Sequence, residues 1–84
     1  MGNVIVRYRI LPDIPENYQK VLETLEKEIQ PDRLDEEPIA FSLKAIKLTK
    51  MIPDEPGTED ALENKIRAIE HVETVETMGV TRGL

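Results

Sequence analysis

Two rhythms of apolar residues alternate along the chain, and their order leaves few folds open. Val4, Val6, Tyr8 and Ile10 recur at every second residue between Ile5, Arg7 and Arg9, which predicts a strand with one face on a core. Arg7 and Arg9 then fall on the opposite, wetter face. Tyr18, Val21, Leu22, Leu25 and Ile29 follow at the spacing of a single helical stripe. Pro15 suits the first turn of that helix, Glu16 suits the positive end of its dipole, and Pro31 ends it.

The second half repeats the alternation. Residues 32–40 form a short polar stretch in which Pro38, lacking an N–H, restricts any strand to a sheet edge. Phe41 to Ile52 is the longest predicted strand, and its apolar residues change phase. Phe41, Leu43 and Ala45 share one parity, whereas Ile46, Leu48 and Ile52 share the other, as a bulge or burial on both faces would produce. Pro53-Asp54-Glu55-Pro56-Gly57 is a turn cluster, with Thr58 as the expected N-cap and Glu59 and Asp60 in the first helical turn. Ala61, Leu62, Ile66 and Ile69 make a second stripe. Val72 to Arg82 closes as a strand carrying Val72, Val75, Met78 and Val80, with Gly79 a candidate bulge, and the tail from Arg82 to Leu84 is expected to be partly free.

Strand, helix, strand, strand, helix, strand is the order of an α+β, ferredoxin-like βαββαβ sandwich, a four-stranded antiparallel sheet with two helices on one face. Its 84 residues suffice for one domain, 1–84, with one modest core.

Composition excludes several occupations of that fold. The formal net charge of −6 repels a phosphate backbone, so neither direct nucleic-acid binding nor an anionic membrane is expected. Lys44, Lys47 and Lys50 are spaced by three along a predicted strand and fall on alternate faces rather than in one basic stripe. There is no cysteine, which removes thiol nucleophiles, Fe–S clusters and Cys-containing zinc sites. Asp32, Asp35, Glu36 and Glu37 lack the spacing of a calcium loop and read as a solvated acidic loop. His71 has no Ser, Cys or second His near it in sequence and reads as an ordinary residue at the end of the second helix. No cofactor or metal is expected. No signal peptide opens the chain and no apolar run reaches the roughly 18–20 residues that span a bilayer, so the expected compartment is the cytoplasm.

Two residues carry more information. Phe41 is the only phenylalanine and sits at a predicted strand entry, where it either packs in the core or protrudes at the sheet rim as an interface anchor. Arg82, two residues before the end, is either a solubilising tail or a mobile cation for an anionic site on a partner.

At residues 35–48, Asp-Glu-Glu-Pro-Ile-Ala-Phe-Ser-Leu-Lys-Ala-Ile-Lys-Leu, the chain resembles archaeal elongation factor 1-beta, with Glu37 to Phe41 the most specific part. The opening Met1 to Ile10 and the Val-rich close from Val72 to Leu84 extend the resemblance over essentially the whole chain. The resemblance implies a non-enzyme that promotes exchange of GDP for GTP on elongation factor 1-alpha, the GTPase that delivers aminoacyl-tRNA to the ribosome. In the related eukaryotic exchange domain a Phe after Pro-Ile-Gly docks in a pocket of the GTPase, and a Lys beside the C-terminal Leu reaches the Mg²⁺ site. The match for that Phe here is Phe41, and the cation nearest the terminal lysine's place is Arg82; the expected partner-binding residues are Phe41, Lys44, Arg82 and Leu84. Ser42 stands where relatives often carry Gly, and Arg82-Gly83-Leu84 has no Lys beside the final Leu. The alternative is a ligand-sensing or RNA-binding domain of the same fold, using Arg7 and Arg9 on the open sheet face.

Overall fold

The computed structural model describes residues 2–82. Strands β1 (Asn3–Pro12), β2 (Arg33–Ala40), β3 (Leu43–Pro53) and β4 (Val72–Thr81) form one antiparallel sheet in the order β2-β3-β1-β4. A single 3-10 turn, Pro15–Asn17, leads into helix α1 (Tyr18–Glu28), and helix α2 (Thr58–Arg67) joins β3 to β4. This is the expected ferredoxin-like α+β arrangement.

The core follows from period. Val4, Val6, Tyr8 and Ile10 of β1 are buried and lie opposite Ile52, Lys50, Leu48 and Ile46 of β3. Tyr18, Val21, Leu25 and Ile29 of the first helical segment and Leu62 and Ile66 of α2 close over the same face. α1 stops where Gln30 turns left-handed at φ 54 and Pro31 forbids continuation. Lys50, on the helix side of β3, donates to the Gln30 carbonyl at 3.0 Å and ties down the turn that follows the helix.

Several expectations change. The third strand begins at Leu43 rather than Phe41, because Phe41 and Ser42 make the reversal from β2. The phase change in β3 is burial on two faces without a bulge in its pairing with β1. Ile46, Leu48 and Ile52 enter the core while Ala45, fully buried, lies on the open face opposite Glu37. The acidic stretch is an edge strand rather than a loop, and its carboxylates are engaged. Asp35 pairs with Arg33, Glu36 with Lys44 and Glu37 with Arg9, while Asp32 accepts from the Met51 amide. Thr58 is the first residue of α2, and Gly57, at φ 86, takes the cap position. The Thr58 hydroxyl turns back to the carbonyls of Pro53 and Glu55, each at 2.8 Å. Ala61 is exposed, and in β4 only Val75 is fully buried. The register of β4 slips between Thr77 and Gly79, the bulge expected near Gly79, and leaves Met78 and Val80 exposed.

Burial, and then the carboxylates of Glu63, Glu59 and Asp60, pushes Tyr8 up to about 12, while burial and the neighbouring Glu36 do the same for Tyr18. Both phenols resist ionisation in the folded chain, so their stabilising contribution is complete below the ordinary value of 10 and is lost as pH rises from there through about 12. Absorbance titration of tyrosinate is expected to lag the free-phenol curve and to rise together with loss of near-ultraviolet circular dichroism. Free-phenol titration with the fold intact would contradict this.

Candidate functional site

β2 and β3 pair through Pro38↔Lys44 and Ala40↔Leu43, so β2 carries one extra residue, a bulge at Ile39 that re-aims the strand end. Phe41 and Ser42 are the loop. Ser42 is held at φ 60, a left-handed conformation that glycine adopts without the steric penalty of a Cβ. Phe41 projects from this tip with its side chain fully in solvent, 102% exposed relative to the reference, so it is no part of the core. With Pro38, Ile39 and Ala40 it lines a shallow apolar notch of about 470 Å³. At the hairpin base Lys44 is tied down, its ammonium 3.0 Å from Glu36 and 4.8 Å from the centre of the Tyr18 ring. That contact holds the Glu36 carboxyl below its usual range.

Arg82 is at the other end of the sheet. Its guanidinium donates to Asp54 at 2.5 Å, in the turn before α2, so the last described residue is anchored rather than free. Around the pair Glu55, Glu59 and Asp60 give an acidic recess of about 410 Å³. Leu84 lies outside the described residues. Register separates the two ends. Leu43 follows the hairpin tip, whereas Met51 lies level with Ile5 and hence with Thr81. Eight residue steps along β3 separate them, about 27 Å at the usual strand rise. Phe41 and Arg82 therefore form no common pocket. They lie at opposite ends of a body 42 Å long.

The open sheet face offers little to an anionic ligand. Arg9 is held by Glu37 at 2.9 Å and Glu76 at 3.5 Å, and Arg7 crosses the bulge at Gly79 to reach the Thr81 hydroxyl at 3.4 Å. Both arginines occupy the face that the alternation assigns them, but the guanidinium of Arg9 is already shared between two carboxylates.

One constellation escaped the sequence. Asp13, Asn17 and His71 converge beside the end of β1. The amide of Asn17, a buried residue, donates to Asp13 Oδ1 at 2.8 Å and lies 3.0 Å from His71 Nδ1, which is itself 3.1 Å from Asp13 Oδ2. The Asn17 hydrogen bond, with those from His71 and the Ile14 amide, holds the Asp13 carboxyl below its usual range. His71 is thus a structural tie rather than a bystander. Its separation of 54 positions from Asn17 hid the contact, and the only local signal was the Asp13/Asn17 spacing around a proline.

Comparison with known proteins decides among the fold's many occupations. The family model described as the EF-1 guanine nucleotide exchange domain matches residues 5–82. The chain belongs to that family. Among curated relatives it is 40% identical to Elongation factor 1-beta of Methanoregula boonei over 83 residues, covering 96% of this chain and 98% of the relative. It is 37% identical over 86 residues to Elongation factor 1-beta of Thermoplasma acidophilum and 35% over 82 to that of Methanoculleus marisnigri, with the same coverage of each. The chain is a guanine nucleotide exchange domain of translation elongation, and the hairpin carrying Phe41 lies inside the matched region.

Relief of the left-handed strain at the tip of the exchange domain is testable. Ser42→Gly is expected to retain full stability in urea unfolding, whereas Ser42→Val should lose about 1–2 kcal/mol, because a β-branched side chain tolerates positive φ poorly. A valine variant as stable as the parent would contradict the conformation assigned to the loop.

Proposed function

We propose that residues 1–84 act as one domain that binds elongation factor 1-alpha in the cytoplasm and releases its guanine nucleotide without making or breaking a covalent bond. Phe41 enters an apolar pocket of the GTPase, and Arg82, with Leu84 beside it, is delivered toward the site where the partner holds Mg²⁺ and phosphate. Lys44 keeps the hairpin base rigid through Glu36 and Tyr18 rather than leading the contact. The observation that carries this reading is a phenylalanine held wholly in solvent at the tip of a bulged hairpin within the family match.

The energetics are those of a population shift. Phosphate contacts and Mg²⁺ hold the nucleotide in the GTPase. A protein that binds the metal-free, distorted GTPase better than the loaded form moves the population toward release, and nucleotide and exchange domain weaken each other reciprocally. Phe41 gains apolar burial only in the complex, since it contributes none to the free fold. Arg82 must leave Asp54, but both side chains are substantially exposed, and such a pair is worth only about 0–1 kcal/mol. Arginine brings a planar fork where the family's lysine brings a compact ammonium, which makes its reach depend more on orientation.

Release of labelled GDP from Mg²⁺-loaded elongation factor 1-alpha should accelerate saturably with added chain. Phe41→Ala is expected to lower the stimulated rate at subsaturating concentration roughly 10- to 100-fold, the scale of a central interface anchor, with the fold kept. Arg82→Ala should depress the saturated rate, and Arg82→Lys should retain it. A Phe41→Ala protein that is folded and fully active would refute the reading.

A further inference from the structure

We propose that Ile14 is a second apolar anchor for the same GTPase, presented in a fixed position by the Asp13–Asn17–His71 cluster. This rests on the exchange reading above and extends it from one docking residue to a two-loop surface.

Three observations converge on Ile14. The first is its place in the fold. Ile10 pairs with Ile46, and continuing that register brings Pro12 level with Lys44, at the base of the Phe41 hairpin. Tyr18, four residues after Ile14, packs under the same Lys44. The loop carrying Ile14 and the hairpin tip therefore share one end of the sheet. Of the six large apolar side chains exposed among the described residues, Ile14, Ile39 and Phe41 gather there.

The second observation is that the local turn does not call for isoleucine at this position. Ile14 precedes the 3-10 turn with φ −138 and ψ 154, where Ser, Thr, Asp or Asn would supply a cap, and it makes no side-chain cap bond. Asp13 instead ties the loop, its Oδ1 accepting from the Ile14 backbone amide at 2.7 Å and from the Asn17 side chain at 2.8 Å. The Ile14 side chain is 50% exposed, so about half of its surface stays in water in the free domain.

The third is the rigidity of the mount. Asp13 donates its amide to the His71 carbonyl at 2.8 Å, and the Asn17 amide donates to the Ile14 carbonyl at 3.0 Å. His71 sits at φ 75, a conformation unfavourable for a residue with a Cβ. A strained residue and a buried amide thus hold a loop on which an apolar side chain is half in solvent. Preorganisation of this kind lowers the ordering cost of association. The partner surface that fits is an apolar groove receiving both loops, and His71 is a positioning residue.

The test is GDP release from elongation factor 1-alpha at varied concentrations of the full chain. Ile14→Ser is expected to raise the half-saturating concentration roughly 5- to 20-fold with the saturated rate unchanged, since the anchor binds and does not touch the nucleotide site. His71→Ala should raise it similarly in the parent but add nothing in the Ile14→Ser background, a non-additivity that a merely structural histidine would not give. Ile14 is exposed and its replacement leaves the core intact, so Ile14→Ser decides the matter even if His71→Ala unfolds. An unchanged half-saturating concentration for Ile14→Ser, with Phe41→Ala impaired, overturns this proposal and leaves the exchange reading standing. No stimulation by the parent chain overturns both.

Discussion

Everything in this domain hangs on the double pairing of its first strand. β1 is bonded to β3 on one side and β4 on the other, and its inward residues Val6, Tyr8 and Ile10 are wholly buried under the two helices. A strand secured on three sides cannot slip without moving every side chain to the wrong face. That register fixes the separation between the β2–β3 hairpin tip and the end of β4. The sheet thereby holds Phe41 and Arg82 a fixed distance apart, at its two ends.

The distribution of polarity fits that use. The middle of the open sheet face is self-satisfied, with Arg9 between Glu37 and Glu76. The ends are left incomplete. One exposes Phe41, Ile39 and Ile14, and the other holds Arg82 on Asp54 within an acidic recess. A small domain has little stability to spare, so a phenylalanine contributing nothing to the core is informative about association. In the proposed complex, an apolar anchor and a cation on one stiff frame would let the binding free energy gained at one end oppose phosphate and metal contacts at the other.

Local rules made most of the frame legible. Period two in β1, period 3.6 in both helices, and the prolines at 15, 31 and 38 gave the element order and hence the topology. Boundaries failed where two rules competed. Phe41 continues the parity of Leu43 and Ala45, yet the bulge at Ile39 and the left-handed Ser42 put it in the turn. Thr58 has the composition of a cap, but Gly57 alone could take φ 86 without strain. The partner of Arg82 was invisible because Asp54 is 28 residues away, and the tie between His71 and Asn17 was invisible for the same reason. Periodicity reports which face a residue occupies. It carries no information on which distant side chain meets it there. The role of Phe41 was suggested by resemblance, while its full exposure needed the fold.

The central claim is a two-ended contact, and amide hydrogen exchange on the complex with nucleotide-free elongation factor 1-alpha tests it most directly. Relative to the free chain, the account predicts slowed exchange at residues 39–43 and again at the amides of Thr81 and Arg82, with Arg7, Arg9 and Lys47 in the middle of the open face unaffected. Protection confined to one end, or centred on the open sheet face, would contradict it.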